Sequence, residues 1–179
     1  MKTKIGVFLS SKSGLPAAYE AAAREVGQLI GNTGRTLVYG GARRGLMEIL
    51  AQSTRRTGGR IYGMVPDRLV ERGWVSDTLD VTFRCADLHD RKAMMLRESD
   101  ALVVLPGGIG TLDEAFTALA AASFGMERRP LIFYNVGGCW DSLLRALDDL
   151  FAAGLVDGRP SDHYAVASGI AELQALLDA

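Results

Sequence analysis

The sequence predicts an α/β protein with a Rossmann-like, doubly wound parallel sheet of about seven strands and helices on both faces. Short apolar runs alternate with longer amphipathic segments along the chain, which is the pattern of repeated β–α units. The run at residues 101–105 is apolar throughout, as expected of a central parallel strand that is buried on both faces. Right-handed crossovers would then place helices on both faces of the sheet.

Each strand is predicted from a short apolar or β-branched run that is followed by a turn residue. The second strand, for example, ends at Gly40 and Gly41. The predicted strands cover residues 5–9, 36–39, 61–65, 79–83, 101–105, 131–134 and 164–167. Residues 67–77 are the least regular part of the chain, and Trp74 is expected to be half-exposed there.

The helices are predicted from apolar spacing and from the residues that bound them. Pro16 and Gly31 bound the first helix, because proline suits a first helical turn and glycine favours a helix end. Leu88, Arg91 and Met95 recur at the three- and four-residue spacings of a helix. The predicted helices cover residues 17–30, 45–55, 87–98, 111–123, 140–152 and 170–177.

Length and composition limit the classes to which this chain can belong. At 179 residues, 48% hydrophobic and 23% charged, it is expected to form a single domain over residues 1–179. A net charge of −1 gives no reason to expect a nucleic-acid partner, and no apolar stretch approaches the ~20 residues that cross a membrane. Cys85 and Cys139 lack zinc-site spacing, and His89 and His163 are far apart, so no metal is expected. Because the first apolar run is too short for a secretory signal, a cytoplasmic location is predicted.

Three loops rich in glycine and small polar residues follow predicted strands. Residues 10–14 follow the first strand, residues 40–47 the second, and residues 106–114 the central strand. In an open parallel sheet, ligands bind beyond the carboxyl ends of the strands, near the point where the strand order reverses. We therefore expect these loops to surround the binding site.

The third loop, Pro-Gly-Gly-Ile-Gly-Thr-Leu-Asp-Glu, has the features of an anion site. Its glycines let backbone N–H groups approach an anion, and the dipole of the following helix adds partial positive charge. Thr111 is expected to cap that helix and to donate its hydroxyl to a phosphate oxygen. The alternative is a tight turn whose glycines serve only the backbone. The loop matches neither the Walker A motif nor the dinucleotide GxGxxG motif.

Three charged residues, Glu114, Arg91 and Lys92, each have both a structural and a functional interpretation. Glu114 lies three residues after Thr111, so it can complete a capping box, or it can present a carboxylate beside the phosphate, where a sugar would lie. Arg91 and Lys92 can be ordinary solvated residues, or they can supply the opposing charge, since a planar guanidinium suits a phosphate or a carboxylate.

Taken together, the loops and the helix resemble the Lonely Guy family of cytokinin riboside 5′-monophosphate phosphoribohydrolases, often labelled lysine decarboxylases. Residues 88–92, Leu-His-Asp-Arg-Lys, correspond to the family signature (M/L)HxRK, and residues 106–114 correspond to PGGxGTxxE. Further matches lie at Ser10, Ser11, Gly14, Gly40, Gly41 and residues 45–47. The resemblance covers nearly the whole chain.

The resemblance implies hydrolysis of the N-glycosidic bond of an N6-substituted adenosine 5′-monophosphate, which releases the free base and ribose 5-phosphate. It implies that Arg91 and Glu114 are the catalytic pair and that no metal or organic cofactor is needed. The lysine decarboxylase label fits poorly, because nothing in the sequence marks a pyridoxal phosphate site. The substrate-binding residues that the resemblance implies are Ser10, Gly41, Lys92, Gly108, Ile109, Gly110, Thr111, Leu112 and Asp113.

Departures from the family pattern leave the identity of the N6 group open, and with it that of the base. A glutamate eighteen residues before the signature arginine is replaced here by Gly73, and a threonine six residues after Glu114 is replaced by Ala120. One alternative is a broader purine or pyrimidine 5′-nucleotide nucleosidase. Another is a noncatalytic carrier of a phosphorylated cofactor, like the molybdenum-cofactor carriers of similar fold. The pair of Arg91 and Glu114 argues against a carrier, because phosphate binding needs no carboxylate beside the anion.

An apolar surplus on the helices around the site predicts a homodimer that builds part of each active site across its interface. Met94, Met95, residues 115–124 and Met126 offer more apolar surface than one sheet face requires. Methionine adapts to varied apolar shapes, and a two-fold contact is the commonest way to bury such a surface. The resemblance points the same way, since family members are typically dimers. The alternative is that these residues are ordinary core.

Overall fold

The computed structural model describes residues 2–125 and 129–179, which contain one sheet of seven parallel strands. The strands are β1 (Lys4–Phe8), β2 (Thr36–Tyr39), β3 (Arg60–Pro66), β4 (Val81–Cys85), β5 (Ala101–Val104), β6 (Leu131–Tyr134) and β7 (Ala165–Ala167). Their order across the sheet is β4-β3-β2-β1-β5-β6-β7. This order runs outward in both directions from the centre, so the predicted doubly wound, Rossmann-like architecture is confirmed.

The strand order reverses between the two central strands. β1 pairs with β2, where Ile5 faces Leu37, and with β5 on its other side, where Gly6 faces Leu102. The chain leaves β1 and β5 toward opposite faces of the sheet, which opens a crevice between their carboxyl ends. The loops that follow these two strands therefore meet at the crevice.

Helices cover both faces of the sheet. They are α1 (Ala17–Asn32), α2 (Gly45–Arg56), α3 (Asp67–Glu71), α4 (Leu88–Glu98), α5 (Ile109–Ser123), α6 (Asp141–Ala152) and α7 (Ile170–Asp178), with 3-10 turns at Val136–Gly138 and Pro160–Asp162. One core lies under α1, α2 and α7 and includes Leu37, Leu50 and Leu173. The other lies under α4, α5 and α6 and includes Met95 and Phe133. Within the described ranges, no helix is both long enough and apolar enough to cross a bilayer.

Three elements differ from the prediction by two residues at one end or at both. α1 ends at Asn32 instead of residue 30. β4 covers Val81–Cys85 instead of residues 79–83. Leu79 packs against the core from the preceding turn, and Asp80 accepts a hydrogen bond from the Ile61 N–H at 2.7 Å, so apolar character begins before the strand does. α5 begins at residue 109 instead of 111, for the reason given below. Trp74 is half-buried, as expected.

The apolar surplus around the site divides between core and surface. Met95, Ala115, Ala118 and Leu119 are buried in the core under α4 to α6, so the ordinary-core interpretation is correct for them. On the outer side of α5, Phe116 is 41% exposed, and Phe124, which directly follows the helix, is 85% exposed. Met126 lies outside the residues that the structure describes.

Candidate active site

A cavity of about 360 Å³ lies at the carboxyl end of the sheet, where the strand order reverses. The Ser10 N–H donates to the Pro106 carbonyl at 3.2 Å, which joins the loops that follow β1 and β5. The lining residues are Leu9, Ser10, Ser11, Lys12, Met47, Arg91, Gly108, Ile109, Gly110, Thr111 and Glu114. The fold thus brings most of the predicted site residues into one cavity.

The start of α5 faces this cavity without a side chain to cap it. Gly108 is the N-cap residue, and the Leu112 N–H donates to the Gly108 carbonyl at 3.0 Å. The N–H groups of Ile109, Gly110 and Thr111 therefore have no acceptor within the helix. A Cβ atom added to Gly108 or Gly110 would meet nothing within 4 Å, so the backbone is open to a ligand there. Exposed N–H groups at a helix start suit a phosphate.

The expectation that Thr111 caps α5 is wrong. Thr111 is the third residue of the helix and is 4% exposed, and a Cβ atom on Gly107 would overlap its side chain. Because Gly108 already adopts the extended backbone of an N-cap, the helix begins before Thr111. Glu114 consequently has no capping box to complete, and it is a buried carboxyl group on the cavity wall.

Gly40 and Gly41, the two glycines that follow β2, have different structural roles. A Cβ atom on Gly40 would overlap the Arg91 guanidinium and would lie 3.2 Å from Met47 Cε. Gly41, which was predicted to contact substrate, has a φ of +72°, and its added Cβ would lie 2.5 Å from Val65 instead. Gly40 therefore makes room for Arg91, whereas Gly41 provides a left-handed turn.

Arg91 and Glu114 form a largely buried ion pair. Arg91 Nη2 lies 3.3 Å from Glu114 Oε1, and the two side chains are 14% and 8% exposed. Arg91 Nε is buried and has no hydrogen-bond partner among the described residues. Leaving such a donor unsatisfied costs about 1–3 kcal/mol, a cost that a bound ligand or water would remove.

Burial raises the pKa of Glu114 to about 7. Asp113 adds to this increase, whereas Arg91 and Lys92 oppose it. The loss of hydration therefore outweighs the attraction of the neighbouring cations. A cavity carboxyl group whose pKa is raised to about 7 by burial is characteristic of catalytic sites.

Three other predicted residues do not line the cavity. Lys92 Nζ lies 2.7 Å from Asp113 Oδ1, in an ion pair between α4 and α5. Leu112 packs against the core under α4 to α6. These residues support the wall that holds Arg91 and Glu114.

The cavity also contains Lys12 and Met47, which lie in predicted site loops but were not among the predicted catalytic or substrate-binding residues. Gly45, at the start of α2, has a φ of +54°, and an added Cβ there would lie 2.5 Å from the Ser11 carbonyl carbon. The loop at residues 10–14 therefore rests on α2. The loops at residues 10–14 and 40–47 could be located because each follows a predicted strand. That position does not show which of their side chains point into the cavity.

Known sequences include close relatives of this chain. Residues 47–176 match the family described as "possible lysine decarboxylase". The chain is 37% identical over 153 residues to a probable cytokinin riboside 5′-monophosphate phosphoribohydrolase of Oryza sativa subsp. japonica, covering 86% of this chain and 62% of that protein. It is 36% identical to a cytokinin riboside 5′-monophosphate phosphoribohydrolase of Arabidopsis thaliana, covering 86% of this chain and 70% of that protein. The chain therefore spans less than two thirds of the length of the rice protein.

Solved structures share the fold over almost the whole chain. The molybdenum cofactor binding protein from Rippkaea orientalis has a TM-score of 0.75 and 26% identity, covering 99% of this chain and 96% of that one. The Moco carrier protein from Chlamydomonas reinhardtii has a TM-score of 0.74 and 24% identity with the same coverage. At that identity the second likeness establishes the architecture alone.

Proposed function

The chain belongs to the Lonely Guy family, and from this membership we propose that it hydrolyses the N-glycosidic bond of a nucleoside 5′-monophosphate. The proposed substrate is an N6-substituted adenosine 5′-monophosphate, and the products are the free base and ribose 5-phosphate. The observation that carries the proposal is the buried pair of Arg91 and Glu114 beside the uncapped start of α5. One cavity thus combines backbone N–H groups that can bind an anion, a cation and a carboxylate.

In the proposed complex, the phosphate occupies the start of α5. The N–H groups of Ile109, Gly110 and Thr111 bind its oxygens, assisted by the helix dipole. Ser10 and Lys12, from the loop after β1, border the same space. The phosphate takes no part in bond cleavage. Its binding energy holds the ribose in the reactive orientation, and this lowers the activation barrier.

The proposed chemistry places Glu114 at the ribose. As the N-glycosidic bond breaks, positive charge develops on the sugar and negative charge on the leaving base, as in glycoside hydrolysis. The Glu114 carboxylate stabilises the cationic sugar and orients the attacking water, which in the net reaction gives its hydroxyl group to the sugar carbon and a proton to the leaving base. Arg91 fixes the nucleotide and stabilises the developing negative charge.

The description "possible lysine decarboxylase" implies pyridoxal phosphate, which is held by a lysine Schiff base. The lysines of this chain do not fit that cofactor. Lys4 pairs with Glu98, Lys2 donates to the Leu176 carbonyl, and Lys92 pairs with Asp113. Lys12 borders the cavity, but it is exposed on a loop, whereas a lysine that forms a Schiff base with the cofactor is enclosed.

The test is incubation with AMP, N6-isopentenyl-AMP, GMP and a pyrimidine monophosphate, followed by chromatography for free base. Release of base from N6-isopentenyl-AMP in preference to AMP supports the cytokinin-type substrate, and release from several nucleotides supports the broader nucleosidase. If none of these nucleotides is cleaved, the proposal is wrong. Binding without cleavage would then favour a cofactor carrier, the alternative that the likeness to the Rippkaea orientalis protein keeps open.

Gly40→Ala is expected to lower kcat/KM by about 10²-fold, because the new methyl group occupies the position of the Arg91 guanidinium and misplacing such a group has an effect of that size. Gly169→Ala is the matched control, since a Cβ atom there meets nothing within 4 Å. Steady-state kinetics on both variants, with thermal melts to verify folding, check this expectation. Equal activities in the two variants would contradict the contact between Gly40 and Arg91.

We also propose a homodimer whose interface completes each active site. Support comes from the exposed Phe116 and Phe124, and from apolar depressions of about 260 and 210 Å³ on the two sides of α5. Ile109, which lines the cavity, is 83% exposed and would be covered by a partner.

Light scattering at micromolar concentration should therefore give about twice the 19.2 kDa of one chain. Phe116→Arg should produce monomers with reduced activity, because it places a charge in the apolar contact. Val81→Arg, on the edge strand β4, serves as the exposed apolar control. A monomeric mass in a fully active preparation would contradict the shared site.

A cytoplasmic location and a single domain over residues 1–179 complete the proposal. The thiols of Cys85 and Cys139 are unpaired, as is usual in a reducing compartment. Both core clusters lie against the same sheet, which supports one folding unit.

A further inference from the structure

A second cavity, of about 240 Å³, adjoins the proposed active-site cavity at the carboxyl end of the sheet. We call this second space the side cavity. Ser10, Lys12 and Gly108 line both spaces and form the boundary between them. The other walls of the side cavity have apolar or aromatic side chains and include Leu15, Tyr19 and Pro106. The proposed monophosphate complex makes no use of these three residues.

The boundary between the two cavities has groups that can bind a second phosphate. A Cβ atom added to Gly108 would meet nothing within 4 Å, so the backbone there is open. Ser10 Oγ accepts a hydrogen bond from the Lys12 N–H at 3.1 Å, which leaves the hydroxyl hydrogen free to be donated to an oxyanion. The Lys12 ammonium has no ion-pair partner in the described part of the chain, whereas Lys4 and Lys92 pair with carboxylates. A phosphate group beside Lys12 would therefore meet both a cation and a hydroxyl donor.

The side cavity also offers an aromatic ring. Tyr19 lies in the first turn of α1, where its N–H donates to the Pro16 carbonyl at 2.9 Å. Tyr19 and Leu15 are half-buried and pack against the core under α1, α2 and α7, so the core supports the ring that lines the cavity. Pro106 adds apolar surface from the turn after β5. Apolar walls with a few polar groups suit a small ligand, and any nucleobase can stack on an aromatic side chain.

We propose that the protein binds a dinucleotide, joined 5′ to 5′ through two phosphates, across both cavities. One nucleoside lies beside Glu114, the first phosphate lies at the start of α5, the second lies beside Lys12, and the second base stacks on Tyr19. The strand order reverses between β1 and β5, and dinucleotides lie across this crevice in open α/β sheets. The glycine-rich turn follows β5 here instead of β1, so the site has this position without the GxGxxG motif.

The inference goes beyond the proposed function, because it concerns a second binding site and requires no bond of the dinucleotide to break. It rests on the proposed function only for the placement of the first nucleoside. The dinucleotide would occupy the active-site cavity as well, so it should compete with the monophosphate.

Calorimetric titration of the full-length protein with AMP, ADP-ribose and diadenosine diphosphate tests the proposal. ADP-ribose carries the second phosphate and a second ribose but lacks the second base. Diadenosine diphosphate should bind about tenfold more tightly than ADP-ribose, because stacking of a base on an aromatic ring has an effect of at least this size. Chromatography verifies that the recovered ligands are intact, and Glu114→Gln protein replaces the wild type for any ligand that is cleaved. Equal affinities for ADP-ribose and the dinucleotide would overturn the inference.

Variants of Tyr19 locate the second base. Tyr19→Leu removes the ring but keeps apolar packing, so it should weaken binding of the dinucleotide about tenfold and leave the affinity for AMP unchanged. Tyr19→Phe keeps the ring and should bind the dinucleotide as the wild type does. Tyr62→Leu is the matched control, since that ring packs against Phe83 on the neighbouring strand β4. Equal losses of affinity for AMP and the dinucleotide in Tyr19→Leu would mean a general disturbance of the loop and would contradict the proposed subsite.

The outcomes separate this inference from the proposed function. If the wild-type protein cleaves no nucleotide but binds the dinucleotide through Tyr19, the proposed function fails and the side-cavity site stands. If AMP is cleaved while the dinucleotide binds no more tightly than ADP-ribose, the proposed function stands and the inference fails. Should Tyr19→Leu fail to fold, the comparison of the three ligands on the wild-type protein decides alone.

Discussion

Glu114→Gln is expected to lower kcat by at least ~10³-fold, about 4 kcal/mol in the activation barrier, while nucleotide affinity changes by less than about tenfold. The two side chains have nearly the same shape, so the substitution removes only charge. That charge matters most when the ribose becomes cationic, and the site is too enclosed for water to replace it. Single-turnover kinetics and calorimetric binding of the uncleaved nucleotide measure the two quantities separately.

The pH dependence gives a second test of Glu114. Its pKa is about 7, so lowering the pH through 7 protonates the carboxylate that should stabilise the sugar, and kcat/KM should fall. Glu98→Gln is the matched control, because Glu98 pairs with Lys4 near the opposite, amino end of the strands. Near-normal turnover of every good substrate by Glu114→Gln would show that the catalytic assignment is wrong.

Arg91→Ala is expected to weaken nucleotide binding and to lower turnover, with a combined loss in kcat/KM of about 10²- to 10³-fold. The guanidinium lies beside Glu114, and water cannot reproduce its planar, charged contact. Because Arg91 lowers the pKa of Glu114, removing it should also move the acid limb of the pH profile to higher pH. Steady-state kinetics between pH 5 and 9 check both effects.

Two further variants define what Arg91 contributes. Arg91→Lys keeps the positive charge but lacks the planar guanidinium group. The acid limb of its pH profile should therefore return closer to the wild-type position than its kcat/KM returns to the wild-type value. Arg56→Ala, at the exposed end of α2, is the surface control. Unchanged kinetics in Arg91→Ala would mean that Arg91 only supports the cavity wall and takes no part in the reaction.

The sequence by itself determined the architecture and the position of the site along the chain. Alternating apolar and amphipathic segments predict a parallel sheet because backbone periodicity is a local property that a single segment records. The wholly apolar run at residues 101–105 identified β5, a strand buried on both faces next to the centre of the sheet, for the same reason. The loops after β1 and β5 could be assigned to one crevice, because parallel strands all present their carboxyl ends at the same edge.

Only the tertiary structure decided what individual side chains do there. From sequence spacing, Glu114 fits a capping box as well as a cavity wall, and the choice depends on where α5 begins. Lys92 follows Arg91 directly, yet it faces Asp113 while Arg91 faces the cavity, and Gly40 rather than Gly41 makes room for the guanidinium. The pKa of Glu114 near 7 arises from burial by segments distant in the chain. Side-chain direction and desolvation depend on how helices cross the sheet, and local sequence patterns do not contain that information.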